Sequence, residues 1–399
     1  EISCSLVGSE MCIRDRPVTF IGWTELDASG NEVRYTGLKA IRKRQEQQVS
    51  GTITPDVMQE ALEAYQRVYR QHDASSINDI PVEVFYKELA RYQPLVNNAK
   101  EAFADSKTGM APGVMGLTAE DMQNFYSQLP KRLESVIWLE QSGKPGYEQA
   151  QAIAQKKFDA VQKPFTYSFG VSSDAMDYQT LLSLLLTLLC AVIAAPVFAS
   201  DAQTGAQDIQ LCTKNGGLRL AAAKLAAAFS ITGAAYLLCG VVWILVTNAL
   251  FGWESTKTSV QWLFSVTSLL PYTVGQMEWI MLVTNFLIFF AEVAFVLMAS
   301  VWAKNNLTAL SVALISVVAP LIVYMVVPGS FGEWLSTLLP AGGIGLSNAL
   351  LYKMISFDFL YAGRHAFFQA DVLLASAPVK IVLLVGLAAW GYLRKTKVA

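Results

Sequence analysis

Few side chains here have the type and spacing to do chemistry. The two histidines, His72 and His365, lie far apart and neither sits with cysteines or carboxylates at ligand spacing, so no metal site is expected. A G-x-x-x-x-G-K-[ST] phosphate loop is missing: the single Gly-Lys pair, Gly143-Lys144, runs into Pro145 and lacks the upstream glycine. The G-x-S-x-G nucleophile elbow is missing too. No catalytic residue and no cofactor is therefore expected, and the chain does not read as an enzyme. Two features stand out instead. One is a lone acid, Glu292, in an apolar run; the other is a short loop of mixed charge at 201–224.

The elements that must position them follow from composition. Of 399 residues, 53% are hydrophobic and only 16% charged, whereas soluble domains carry about a quarter charged residues. Residues 17–177 hold 17 Lys/Arg and 21 Asp/Glu, while the longer stretch 178–399 holds 11 and 8. The chain thus divides into a polar region and a greasy one. A formal net charge of −2 without a clustered basic face argues against a nucleic-acid partner.

Spanning a bilayer takes roughly 20 apolar residues in a helix. Five segments meet that need, at about 178–200, 225–253, 279–303, 307–327 and 372–393. The uncharged stretches Thr258 to Met277 and Trp334 to Tyr352 are interrupted by Pro271, Gly275, Pro340, Gly342, Gly343 and Gly345. Backbone freed by Pro and Gly cannot stay unpaired in lipid, so both regions, 258–277 and 333–371, are expected to form short outer helices, interfacial or re-entrant. Glu292 falls near the middle of the third span at 1.5 Å per residue. It should face the bundle interior, either as a buried acid bonded to hydroxyls of neighbouring helices or as part of a substrate path, rather than lipid. Lys380, near the start of the fifth, is expected to snorkel outward.

Orientation follows from the basic residues of the short loops. Lys214, Arg219, Lys224, Lys304, Arg394, Lys395 and Lys397 lie on one side, against Lys257, Lys353 and Arg364 on the other. The loop at 201–224 and the C-terminus are thus expected in the cytoplasm and residues 17–177 outside the cell. Residues 1–16, EISCSLVGSEMCIRDR, resemble a translated sequencing adapter and are set aside. An odd number of spans and an exported polar region together predict another transmembrane helix upstream of Pro17, making six.

Residues 17–177 read as mainly helical. Thr54-Pro55 opens a helix on which Met58, Ala61, Leu62, Tyr65, Val68 and Tyr69 follow helical spacing. Thr118 and Asp121 form a capping-box pattern before a helix expected to break near Pro130 and resume through Leu133, Val136 and Ile137. Tyr147, Ala150, Ala154, Phe158 and Val161 make a third stripe. Thr19 to Thr36 reads as two extended segments about the Asp27–Asn31 turn. With no cysteine in 17–177, no disulfide is expected there; Cys190, Cys212 and Cys239 lie in or beside apolar segments.

The loop between the first two spans runs FASDAQTGAQDIQLCTKNGGLRLAAAKL from Phe198 to Leu225. By composition alone it could be a solvated turn obeying the positive-inside rule. Its residue order, however, resembles the loop after the second transmembrane helix in permease subunits of bacterial ATP-binding-cassette exporters of the second class, where acid, Gly, Leu/Ile, Ser/Thr, Gly-basic and Ala-Lys follow one another. Asp201, Gly205, Ile209, Thr213, Gly216, Arg219 and Lys224 stand in those places, with Asp for the more usual Glu and Gly217 where a basic residue is common. Ser268 to Gln276, SLLPYTVGQ, is similar to the family's outer segment before the fourth span.

The resemblance implies an all-α polytopic bundle of six spans, five present here, with a mainly helical extracytoplasmic domain. It also implies a coupling loop carrying Asp201, Gly205, Asp208, Thr213, Lys214, Gly216, Arg219 and Lys224, an ATPase partner subunit, and pairing with itself or a sibling permease. The competing readings are an ion-coupled secondary transporter, motivated by Glu292, and a membrane sensor with an outer ligand domain. A carrier should show a hydropathy repeat and paired broken helices, which the sequence lacks. A sensor needs an inner output domain, and the inner side offers only a loop, a turn and a tail.

Overall fold

The computed structural model describes residues 23–26 and 32–396. Residues 1–16, the turn at 27–31 and Lys397 lie outside the described residues. The chain is mostly helical and forms two compact units, one of residues up to Ser173 with Val246–Met277, the other of Asp174–Leu245 with Glu278 onward.

In the first unit, the strands β1 (Trp23–Leu26) and β2 (Glu32–Tyr35) pair antiparallel, as the two extended segments required. They precede helix α1 (Gly37–Gln47) and strand β3 (Gly51–Thr52). Helix α2 (Pro55–Gln71) starts on Thr54, whose hydroxyl accepts from the Val57 amide, and buries all six residues of its apolar stripe. Helices α3 (Gln93–Ala102), α4 (Phe125–Gln141) and α5 (Tyr147–Asp159) complete the helical part, and α5 buries Ala150, Ala154 and Phe158. Strand β4 (Thr166–Tyr167) pairs with β3, a contact between sequence-distant dipeptides that no local pattern announces.

Two sequence expectations are corrected here. Thr118 and Asp121 do form a capping box, on the short helix Ala119–Gln123, but the break falls at Asn124 and α4 runs straight through Pro130. A proline removes one helical hydrogen bond, and the buried face Phe125, Leu129, Leu133, Val136 and Ile137 holds the helix in place on both sides of it. The stretch 258–277, expected to form short outer helices, interfacial or re-entrant, is mostly non-helical and packs in this first unit. The Ser259 amide donates to the Thr166 carbonyl at 2.9 Å, and Trp262 sits among Phe125, Phe165 and Tyr167 with ring centroids 6.4, 6.2 and 6.1 Å away. Its large aromatic area finds a closed core here, and only Val260–Leu263 of the stretch is helical before the next long helix begins.

The second unit begins with α6 (Ser173–Ala194), continued after a short step by α7 (Pro196–Thr204) and α8 (Ala206–Leu211). It goes on with α9 (Leu218–Phe251), α10 (Val274–Trp302), α11 (Asn306–Val326), α12 (Gly329–Leu338) and α13 (Leu350–Ile355). An antiparallel hairpin of β5 (Phe359–Ala362) and β6 (His365–Phe368) leads into α14 (Gln369–Thr396). Among the described residues five helical runs are long and apolar enough to cross a membrane: α6 with α7, α9, α10, α11 and α14. They match the five expected segments, and the chain is a multi-pass membrane protein. The hairpin at 359–368 corrects the expectation of helices alone across 333–371.

These helices turn polar side chains inward alongside apolar ones. On α6 the buried face carries Gln179, Thr180, Ser183 and Thr187, while Leu185, Leu189 and Ile193 are exposed. On α10, Glu278, Asn285 and Glu292 recur every seven residues and all are buried. Lipid tails are as apolar as leucine, so burial brings leucine nothing there, whereas polar groups must find partners inside. Helix α12 follows the same rule on a smaller scale. It turns back along α11, buries Ser336 and Thr337, and exposes Phe331 and Leu338. After it, Ala341 to Gly345 are buried, and Gly343 is packed so closely that a Cβ there would lie 2.9 Å from the Ile288 side chain of α10.

Candidate functional site

The loop 201–224 folds from its own residues. Helix α7 ends because Gly205 takes the left-handed conformation, φ 72°, which costs glycine little and redirects the chain into α8. The Thr213 hydroxyl closes the end of α8 on the Gln210 carbonyl at 2.7 Å. Gly216 lies under that same carbonyl, where any Cβ would collide, and its own carbonyl accepts from the Tyr392 hydroxyl of α14 at 3.1 Å. Arg219 donates to Asn215 at 3.2 Å, one turn back at the start of α9.

Asp201 and Lys224, 23 positions apart, meet as a part-buried ion pair that closes the base of the loop. The Lys224 ammonium also donates to the Val197 carbonyl and stands over the Phe198 ring. The Gln203 side chain accepts from the Asn306 amide at the start of α11, tying the loop to the next turn. Asp208, Ile209, Lys214 and Arg219 remain exposed, so the expected set splits into residues that shape the loop and residues that present outward.

The second site surrounds Glu292, which is fully buried as expected. Its Oε1 accepts from the Ser316 hydroxyl of α11, and its Oε2 has no hydrogen-bond partner among the described residues. Lys380 of α14 acts on it electrostatically. Lys380 does not snorkel outward: its ammonium donates to the Thr337 and Leu339 carbonyls at 3.1 and 3.0 Å, at the C-terminal end of α12. Both carbonyls lie at the negative end of the helix dipole, that of Leu339 also accepting from the Gly342 amide, so the lysine is better satisfied inside than stretched to an interface. Thr337 is held in turn by Gln369, whose amide donates to its hydroxyl at 2.8 Å.

Glu292 and Ser316 lie at similar depth: Glu292 is ten residues from the end of α10 and Ser316 ten from the start of α11, each about 15 Å from the turn that joins the two helices at 1.5 Å per residue. Lys380 lies eleven residues from the start of α14, counted from the opposite side. Sequence reasoning found Glu292 but not its setting. The signal for Lys380 was present, a second charge well inside an apolar helix; the signal for α12 was not, because a ten-residue helix cannot be told from an interfacial one by composition.

Outside these helices, Glu101 accepts from the Ser265 hydroxyl and the Val266 amide, and burial raises its carboxyl above the ordinary range against those bonds and the attraction of Arg132. Tyr126 donates to the Ile53 carbonyl and accepts from the Phe165 amide, tying the ends of β3 and β4, and burial pushes its phenol up to about 12. Among the described residues no group of His, Cys, Asp and Glu could hold a metal ion.

No protein-family model matches the chain, and no curated protein or solved structure matches it.

Proposed function

We propose that this chain is the membrane-spanning subunit of an ATP-binding-cassette exporter of the second class. It moves a hydrophobic or amphipathic substrate outward across a bacterial cytoplasmic membrane, using ATP hydrolysed by a separate subunit. In this reading the loop 201–224 and the C-terminus face the cytoplasm, residues 17–177 lie outside, and the chain works with a second copy or a sibling permease.

The build of the loop carries the reading. Asp201 and Lys224 close its base, while α8 and the following turn present Asp208, Ile209, Lys214 and Arg219 outward. A few charges of both signs around one exposed apolar side chain, Ile209, suit a protein partner, with the charges setting register and orientation. The excess of basic residues on this side supports its cytoplasmic placement.

Co-expression with the ATPase subunit encoded beside it tests the proposal. Ile209→Cys should crosslink to that subunit, and Arg219→Glu with Asp208→Lys should uncouple ATP hydrolysis from export while leaving membrane insertion intact. Unchanged co-purification of the ATPase after substitution of all four exposed residues sinks the reading. The charged groups at Glu292 and Lys380 favour one alternative, an ion-coupled carrier. It requires export from vesicles without ATP that follows an imposed ion gradient.

A further inference from the structure

We infer that Glu292 is a proton-binding site inside the membrane unit, and that Lys380 and the end of α12 respond to its charge. The inference requires that the chain sit in a membrane; it does not require an ATPase partner.

The geometry supplies the parts. Oε1 of Glu292 is engaged by Ser316, which leaves the enclosed and unpartnered Oε2 as the atom that takes the proton. An ionisable residue within a transmembrane helix is expensive to keep and marks ion or proton pathways when it faces the protein interior. Here it faces inward on a polar track, since Glu278, Asn285 and Glu292 share one side of α10 at heptad spacing. Half-helices ending inside the membrane are where transporters gather polar backbone and bound charge, and α12 is one such half-helix, its end occupied by the Lys380 ammonium.

Two charge states follow. With Glu292 ionised, its carboxylate and the carbonyls of Thr337 and Leu339 compete for the ammonium, and Lys380 is drawn between α10 and α12. When a proton from water joins Oε2, that attraction ends and Lys380 belongs to α12 alone; release returns the proton to water from the same atom, and no other bond changes. Of the elements around Glu292, α11 contributes the Ser316 hydroxyl and α14 the Lys380 ammonium, the charged group that acts on it among the described residues. Helix α9 meets α10 through the titratable Tyr236, whose ring stacks on Phe289 and whose hydroxyl donates to Ser183, and through Gly233 against Phe290 and Gly240 against Leu282; α6 meets it through the Gln179 amide on the Glu278 carbonyl, and α7 through the Ser300 hydroxyl.

Infrared difference spectra of the purified full chain in lipid nanodiscs, across about pH 4 to 10 to cover the side-chain carboxyl and amine range, test this without substrate or ATPase. The expected result is a carboxylic-acid carbonyl band that titrates and is lost in Glu292→Gln. Its midpoint should move by at least about one pH unit in Lys380→Met, the size expected when an opposite charge in a dry setting is removed. A spin label on Leu338→Cys should report movement of α12 with that same midpoint. A wild-type spectrum with no titrating band that depends on Glu292 overturns the proposal, as does a label that ignores pH. Should Glu292→Gln fail to insert, Ser316→Ala decides: it keeps the acid but frees Oε1, and an unmoved midpoint overturns the proposal. Failure of the ATPase to bind would leave these spectra unchanged, so the two readings fail separately.

Discussion

The two units expose opposite things. Around Trp262 the first unit gathers Phe125, Phe165 and Tyr167 and exposes charged side chains such as Glu63, Lys131 and Glu134. In the second, Gln179, Ser183, Asn285 and Glu292 are buried together with Phe289 and Leu297, and Leu185, Leu189, Val379 and Val382 are exposed. Against water, burying carbon stabilises at about 25 cal/mol per Å². Against lipid that term vanishes, and the helices are held by close packing and polar bonds. Burial therefore has to be read with the solvent in mind.

The same truncation should separate the units most sharply. Phe125→Ala, at a fully buried ring, should lower the stability of the first unit by about 3–5 kcal/mol, measured by urea unfolding followed through Trp262 fluorescence. Val382→Ala, at a side chain 72% exposed on α14, should change the melting of the second unit in nanodiscs by less than about 0.5 kcal/mol. Comparable losses at both positions would break the comparison, because they would mean that Val382 is covered by protein.

A smaller effect is expected at polar contacts. Asp201→Ala leaves the part-buried Lys224 ammonium, among the described residues, with the Val197 carbonyl and the Phe198 ring. It should cost about 1–3 kcal/mol, the penalty of stranding a charged donor, read as a lower melting temperature in nanodiscs. In the first unit, Thr118→Ala removes the hydroxyl half of the capping box, and about 1 kcal/mol should be lost in the same urea titration.

Glu101 sharpens the contrast through pH. Its folded carboxyl is raised above 4.5 by burial, so the folded unit binds a proton more readily than the unfolded chain. That contribution is present in full below the unfolded value and is lost as pH rises through the folded one. The urea midpoint of the first unit should therefore rise on acidification from pH 7 toward about 5, and Glu101→Gln should flatten that rise. A wild-type midpoint that falls over this range would contradict the assignment. The smallest effect belongs to the exposed pair Lys257–Glu254, whose loss should change stability by less than about 0.5 kcal/mol.

Sequence periodicity located α2, α4 and α5 of the first unit but neither α1 nor α3. The stripe Met58 to Tyr69 and the caps at Thr54 and Thr118 are local signals, and local signals survive into the fold. It misread the break at Pro130 and the form of 258–277, because both were settled by packing partners far away in the chain. In the second unit, length and hydropathy located the five long helices but not their faces, since helices apolar all round have no stripe to read.

The sequence by itself determined the place of the long apolar helices and the inward placement of Glu292. Both follow from chain-local quantities: apolar length against bilayer thickness and the cost of a charge in lipid. Only the tertiary structure decided that Asp201 meets Lys224, that β3 meets β4, that Trp262 closes the aromatic core, and that Lys380 caps α12. These are contacts between positions tens to more than a hundred residues apart, and nothing in either neighbourhood encodes the other. They form because a buried donor, acceptor or ring is costly without a partner, and the folded backbone alone sets which partner comes within reach.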